Sequence, residues 1–424
     1  MSWINGFPGG GGGDSPWPVA VESGVAFEAI TAESPVTLVN GITHFEKTNM
    51  MDGLFPTSGT VTATAFSKNG LYAAIGYAWE SPFITIFKFT GNTVSALPRP
   101  VYVPGGKVNS LSFSSDGKYL AVGTDSSPYL IIYKIANDVF TRITSISSAP
   151  SAAVKAVAFA PYSDHLAVGT TTSGGKLLIY KTASNDAFTK LANPAVMPQS
   201  DVNALAYTLD GAMLAVGGSG ASDAEQLRVY KKSSDTYTKH NAMDDAARID
   251  TDGNYDENVI ALSFAPIDKN GHYPLAVATD LSGSWNGYPF MIFTIPTGTY
   301  DNVGGASANP SMFGGTRTAT FSPDGGFVEA GGTLFSVEVS GYNYYLTERT
   351  EYLGGSAGGY ALTFSATGKR ILAADGIWDA AEGRRVTKFS RGTVPGFGNA
   401  LYGFGFAQTA AAVNQALDVN VLFK

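Results

Sequence analysis

The chain has no cysteine among its 424 residues, which excludes a disulfide framework, a thiolate metal site and a thiol nucleophile. Only four histidines occur, at positions 44, 165, 240 and 272, and no two stand at metal-ligand spacing. Charge is sparse as well: 15% of residues are charged, 35 acidic against 27 basic, for a net charge of −8. No Lys/Arg cluster interrupts that balance, so neither a nucleic-acid groove nor a membrane-surface patch is expected. No apolar run approaches the roughly 20 residues of a membrane span. The start, Met1 to Gly9, lacks the basic and apolar regions of a secretory signal, so the expectation is a chain made and assembled in the reducing cytoplasm. Nucleophile-elbow and phosphate-loop patterns are missing. The expectation is a protein without catalytic activity; the enzymatic alternative is a glycoside hydrolase that gathers two carboxylates from distant segments.

What the chain has in abundance is glycine (50 residues) and aromatic side chains (12%), arranged in a repeat. Aromatic anchors fall at Phe66, Phe113, Phe159, Tyr207, Phe264, Phe321, Phe364 and Phe406, 42 to 57 residues apart. Each ends a short apolar or alternating segment such as Val108-Asn-Ser-Leu-Ser-Phe113, which reads as a buried strand. A tight turn follows, often Asp-Gly or Asn-Gly, where glycine supplies the positive φ that a hairpin needs. A second strand comes next, then a third of constant character: Tyr129-Leu-Ile-Ile-Tyr-Lys134, Lys176-Leu-Leu-Ile-Tyr-Lys181, Gln226-Leu-Arg-Val-Tyr-Lys231. Polar fourth strands complete the unit. Four antiparallel strands repeated at this period predict an all-β β-propeller. Eight anchors predict eight blades, with seven as the alternative if the last unit is an added sheet. The last unit supplies three strands, so an N-terminal strand at 35–46 is expected to complete it and close the ring. The domain reading is a glycine-rich arm at 1–34 and a propeller at 35–424.

The best copy of the repeat, Phe113-Ser-Ser-Asp-Gly-Lys-Tyr-Leu-Ala-Val-Gly123, and the single Ile377-Trp-Asp379 resemble the WD40-like propeller family over roughly residues 39–424. The resemblance implies a binding scaffold. Departures accompany it: no unit has the family's Gly-His pair, and most third strands end in Tyr-Lys or Phe-Lys in place of Trp-Asp. The His/Asp/Trp hydrogen-bond network that the family uses is therefore not expected, and a divergent bacterial or viral propeller is.

Candidate contact residues come from the connectors between strands two and three and between blades, which emerge on one face. They are long in units four and five, and long loops on a rigid scaffold carry recognition. Trp285 and Tyr288 lie in one such connector, Tyr77 and Trp79 in the equivalent connector of unit one, and aromatic tips of this kind stack on a sugar or enter a protein pocket. Asp250, Asp252, Asn254 and Asp256 have the one-three-five-seven oxygen spacing of a calcium loop. The match is partial, since Tyr255 stands where an EF-hand has glycine and Ala261 where it has glutamate. A solvated acidic loop is the simpler reading, and no cofactor other than Ca2+ is suggested. His165 and His272 read as exposed turn residues.

The arm holds Gly9 to Gly13 in one run, and five glycines lose much backbone entropy on ordering. Its apolar groups, Trp3, Ile4, Phe7 and Trp17, are the ones an anchoring arm would bury in a neighbour. The acidic, cysteine-free, glycine-rich composition is similar to that of phage tail or capsid-associated proteins. That likeness implies a structural or adhesion subunit of a virion, anchored through its arm to other virion proteins and touching a protein or host glycan with its propeller. The alternative is a free bacterial scaffold or lectin in the cytoplasm.

Overall fold

The computed structural model describes residues 20–26, 35–48, 60–79, 81–91, 93–171, 176–219, 226–240, 258–268, 271–280, 290–296, 305–307, 318–340, 343–352, 361–373, 376–388, 401–407 and 416–423. The chain divides into two units, one of residues 46–379 and one of residues 1–45 with 380–424. The larger unit is a ring of antiparallel blades. We label the strands of each blade a to d in chain order. Blade one comprises Val61–Phe66, Tyr72–Tyr77, Ile84–Thr90 and Thr93–Ala96; blade two comprises Val108–Phe113, Tyr119–Thr124, Leu130–Ala136 and Val139–Ile143. Blade three comprises Val154–Phe159, His165–Thr170, Leu177–Thr182 and Phe188–Lys190; blade four comprises Val202–Tyr207, Met213–Gly218, Leu227–Ser233 and Thr236–Lys239. Blade five runs Asn258–Phe264, His272–Asp280, Phe290–Pro296 and Gly305–Ser307, and blade six Ala319–Phe321, Phe327–Ala330, Thr333–Ser340 and Asn343–Tyr352.

Blade seven has Leu362–Phe364, Arg370–Ala373 and the start of Gly376–Lys388 as its first three strands, and the fourth is the end of Pro35–Thr48. Thr48 Oγ1 there donates to the Ile377 carbonyl at 3.4 Å. The ring closes at this blade. Its strand a contacts strand a of blade one, and Leu372 and Ile377 share a buried cluster with Ile75, Tyr77 and Phe87 of blade one. The Arg370 guanidinium also sits 5.2 Å from the centre of the Phe89 ring.

The count is therefore seven, and the expectation of eight is corrected. The repeat around Phe406 forms no eighth blade of the ring. Its strands Leu401–Ala407 and Ala416–Phe423 belong to the smaller unit, where they pair with each other, with residues 35–39 and with Ala20–Ala26. An N-terminal strand does close the ring as expected, but it completes the unit anchored by Phe364.

The recurring sequence has a local cause at each turn. In blade two, Ser114 Oγ donates to Asp116 Oδ1 at 2.7 Å and accepts from the Tyr119 amide at 2.9 Å, while Asp116 Oδ1 also accepts from the Lys118 amide at 3.0 Å. The serine is 5% exposed, so the hydroxyl that begins the turn is spent inside the hairpin. Thr208/Asp210 and Ser322/Asp324 repeat the arrangement, and Ser67/Asn69 does so with an amide in place of the carboxylate. The following glycine takes φ +71° at Gly117, a conformation costly for a residue with a Cβ.

The second glycine of the motif answers to the neighbouring blade. A Cβ added to Gly123 would lie 2.6 Å from Val154 Cγ1, and one on Gly169 would lie 2.5 Å from Val202 Cγ1. Gly76 meets Val108 and Gly217 meets Val259 in the same way. Strand b of blades one to four thus abuts the first valine of the next blade, and only glycine permits that approach. Polar residues of strand a complete the seam. Ser110 Oγ accepts from the Val157 amide and Ser112 Oγ from the Phe159 amide, both at 3.0 Å, and Asn109 Nδ2 donates to the Val154 carbonyl at 2.9 Å. The alternation in Val108–Phe113 therefore places its apolar side chains in the cluster shared with blade one and its polar ones against the first strand of blade three.

Candidate partner-binding surface

Where a WD40 blade carries Trp-Asp, these blades carry Tyr-Lys, and the two residues act in opposite directions around the ring. The tyrosines hold the linker from the preceding blade. Tyr133 Oη donates to the Tyr102 carbonyl at 2.7 Å, Tyr180 to Ser148 at 2.8 Å and Tyr230 to Val196 at 2.9 Å. Burial is the largest influence on these hydroxyls and raises each pKa, to about 12 for Tyr230. Replacing Tyr180 by Phe is expected to cost about 1 kcal/mol, the net worth of one such bond, read as a lower denaturant midpoint with an unchanged slope.

The lysines hold the following blade. Lys88 Nζ pairs with Asp138 at 2.7 Å, Lys134 with Asp186 at 2.7 Å and Lys181 with Asp235 at 2.9 Å, each aspartate lying in the c–d turn one blade on. The first residue of strand b joins the same carboxylate: Tyr72 Oη donates to Asp138 at 2.7 Å, Tyr119 to Asp186 at 2.5 Å, and His165 Nε2 lies 3.0 Å from Asp235. The lysine ammonium, then the tyrosine or histidine, holds each of these carboxyls below the ordinary range. The expected loss of the family's own network is met by a different one, which ties blades one to four into a continuous chain. A sequence signal existed for it: Lys and Asp recur one repeat plus a few residues apart, at 88 and 138, 134 and 186, 181 and 235.

Two histidine readings are corrected by this network. His165 opens strand b and is 1% exposed, because the carboxylate of Asp235 and the hydroxyl of Tyr237 satisfy both ring nitrogens. His272 likewise opens strand b of blade five, with its side chain 12% exposed beside Asp268. Ile377-Trp-Asp379 does not end its strand, which continues to Lys388. Asp379 takes two bonds from Arg370 of its own blade, at 2.6 and 3.3 Å.

The two faces of the ring present different surfaces. On the connector face, Tyr77 ends strand b and is 1% exposed, so its side chain belongs to the core and not to a contact surface. Two residues on, Trp79 is 80% exposed. Val101, in the linker between blades one and two, is fully exposed on the same face. The opposite face carries the a–b turns, with Leu71, Tyr162, Leu209 and Ile267 exposed at their tips. Lys68 of blade one reaches across it to lie 3.4 Å from the centre of the Tyr162 ring of blade three.

Residues of strand a, or next to it, from blades one, two, six and seven, among them Thr62, Thr64, Asn109 and Thr320, line a cavity of 170 Å³ at the axis. A second cavity, of 490 Å³, opens between blades two and three. It is lined by charges of both signs, but its Asp116, Asp164 and Asp186 are each already paired with neighbouring cations or histidine. Trp285 and Tyr288, the arm residues Trp3, Ile4, Phe7 and Trp17, and the calcium-spaced Asp250, Asp252, Asn254 and Asp256 lie outside the described residues. Among the described residues no group of three or more His, Asp or Glu side chains is placed to hold a metal ion. None of their helices is long and apolar enough to cross a membrane.

A seven-bladed ring with its blades fastened edge to edge and its connectors on one face defines a β-propeller scaffold. Residues 99–130, which cover part of the linker into blade two, its first two strands and the first residue of its third, match the family model described as WD domain, G-beta repeat. The chain is thus a β-propeller in which one segment is similar to a WD40 repeat. No curated protein matches it.

Proposed function

We propose that this propeller is a non-enzymatic scaffold that meets a protein or glycan partner with its connector face, and that it serves as a structural or adhesion subunit of a phage particle. The observation that carries the contact surface is Trp79, a large aromatic side chain 80% exposed on a fastened ring. An aromatic anchor of that kind gives contact area at low entropic cost. Trp285 and Tyr288 are the aromatic residues of the equivalent connector in the sequence of unit five, and the arm at 1–34 is the anchor to neighbouring subunits. The particle assignment rests on composition: a cysteine-free, acidic, glycine-rich chain with Trp3, Ile4, Phe7 and Trp17 in its leading segment. In this reading the subunit is assembled in the host cytoplasm and resides in the virion.

Two results test the reading. Trp79→Ser is expected to weaken partner capture by at least about tenfold, the worth of a hot-spot aromatic, while Tyr162→Ser on the opposite face leaves it unchanged. Equal binding by both variants removes the connector face from the account. Deleting residues 2–18 is expected to leave a folded ring that no longer enters purified particles, and undiminished incorporation contradicts the anchoring role. A free scaffold or lectin is the outcome if the whole chain binds its partner in solution and is absent from particles.

A further inference from the structure

Blades one to four are joined at three junctions by one arrangement, and the third junction executes it with different chemistry. At the first two, Tyr72 packs edge-on against Phe140 and Tyr119 against Phe188, with ring centres 5.6 and 5.4 Å apart. At the third, His165 stands in the place of the tyrosine and Tyr237 in the place of the phenylalanine. The hydroxyl has moved from strand b of one blade to strand d of the next. Tyr237 Oη is 2.8 Å from His165 Nδ1 and also 2.8 Å from Tyr207 Oη, while His165 Nε2 is 3.0 Å from Asp235. This accounts for Tyr207, a tyrosine among anchors that elsewhere in the ring are phenylalanine.

The chain Tyr207–Tyr237–His165–Asp235 has a direction. With one proton on the imidazole, at Nε2, His165 donates to Asp235 and accepts at Nδ1 from Tyr237, whose oxygen accepts from Tyr207. Every proton then has an acceptor. A second imidazole proton sits on Nδ1 and faces the Tyr237 hydroxyl proton. Tyr237 must turn to donate to Tyr207, and the Tyr207 proton loses its acceptor in the chain. A buried donor left in that condition weakens the folded arrangement by roughly five- to a hundredfold. Tyr72 and Tyr119 hold no second proton at any ordinary acidity, so the first two junctions are exempt.

We propose that the junction between blades three and four is an acid-operated latch: taking up a proton at His165 Nδ1 breaks the Tyr207–Tyr237–His165 chain and loosens strand d of blade four from blade three. The groups facing the imidazole are Tyr237 and Asp235 from blade four, Asp164 at 3.6 Å in its own turn, Lys181 opposite it in strand c, and Lys232 in strand c of blade four. Burial is the largest influence and opposes the charged form. Asp235 and Asp164 favour it, Lys232 opposes it, and the balance lies below the ordinary histidine value of 6.5. The folded state therefore binds this proton more weakly than the unfolded chain does. The junction's contribution is complete above pH 6.5 and is lost as pH falls through the lower folded value.

Amide hydrogen exchange, corrected for intrinsic rates and compared at pH 7.5 and pH 5, tests the latch in the full chain. Protection of Thr236–Lys239 is expected to fall, by about thirtyfold at most, the limit set by the interval between the ordinary histidine value and pH 5, while Val139–Ile143 of blade two keeps its protection. The double variant His165→Tyr/Tyr237→Phe copies the first two junctions and is expected to hold its protection at both pH values. An equal loss in blades two and four, or the same loss in the double variant, overturns the proposal. If the double variant does not fold, the nitrogen resonances of the His165 ring in the unaltered chain decide. Titration below 6.5 with a coincident shift of the Tyr237 ring supports the latch, and titration at or above 6.5, or with Tyr237 unmoved, overturns it.

Discussion

Gly76→Ala is expected to cost the ring about 1–3 kcal/mol, the usual range for overpacking a filled interior, with a single methyl group as the cause. The new Cβ overlaps Val108 Cγ1 and Cβ of the next blade, and its next neighbour is the Ala63 side chain at 3.4 Å. The clash is thus with side chains alone, so Val108→Ala in the same chain should relieve its larger part, the overlap with Cγ1, while the Cβ contact at 2.8 Å remains. The double variant is expected to lose less than the sum of the two single losses by about 1–2 kcal/mol, the size of coupling that residues in contact show. Gly169→Ala offers the contrast. Its Cβ lies 2.5 Å from Val202 Cγ1 but also 2.9 Å from the Val202 carbonyl oxygen, which no substitution at 202 removes. Relief by Val202→Ala should be correspondingly smaller. Additive losses at the Gly76 pair, measured by denaturant unfolding, contradict the blade-against-blade contact.

Glu329→Gln is expected to change the pH profile of stability more than any other single substitution in the ring. Glu329 lies in strand b of blade six and is 1% exposed. One carboxylate oxygen accepts from Thr318 Oγ1 at 2.7 Å and from the Gly332 amide at 2.6 Å, fixing the tight Gly331-Gly332 turn. The other oxygen is buried without a hydrogen-bond partner. Burial dominates and pushes the pKa from 4.5 up to about 7 against those two bonds. The folded state therefore holds the proton more tightly than the unfolded chain. Stability from this site is complete below pH 4.5, falls as pH rises to about 7, and is then constant, a total of about 3 kcal/mol. Glutamine keeps the acceptor and does not titrate, so the difference between the two proteins should carry this slope and level off above pH 7. A difference that is flat from pH 4.5 to 7 contradicts the buried, protonated carboxyl. His165 acts with the opposite sign in an overlapping pH range, so each contribution is read from its own variant.

Much of the ring was legible because its signals are local. Phe113-Ser-Ser-Asp-Gly names a buried anchor, a hydroxyl spent inside the hairpin, a carboxylate that caps two donors and a glycine at positive φ. Each of these operates within six residues. Strand direction, the four-strand unit and closure by an N-terminal strand follow from the same pattern. The number of blades was not legible in this way. The segment at 401–406 has the composition of a first strand, and whether it enters the ring depends on which partner strand it meets, a choice made by packing between segments far apart in sequence.

The fastening of the blades was hidden for a related reason. Tyr-Lys at the end of strand c looked like a departure from Trp-Asp, yet its partners sit in the preceding linker and in the turn one blade ahead. His165 looked like a turn residue because the turn ahead of it lacks glycine. Its burial comes from Tyr237 and Asp235, some 70 residues on. Trp79 is exposed, as the simplest rule, an aromatic in a connector, expects, and the same rule misplaced Tyr77. The end of a strand and the start of a loop differ by two residues, and those two separate a 1% exposed side chain from an 80% exposed one.

Closure of the ring between the seventh and first blades is the claim on which the rest stands, and methyl-to-aromatic nuclear Overhauser contacts measure it directly. The account predicts contacts from the Leu372 and Ile377 methyl groups to Ile75 and to the Phe87 ring, the residues that share one buried cluster. Their absence, with contacts instead from Leu401 or Phe406 to the Val61–Phe66 strand, would place an eighth blade in the gap and contradict the account.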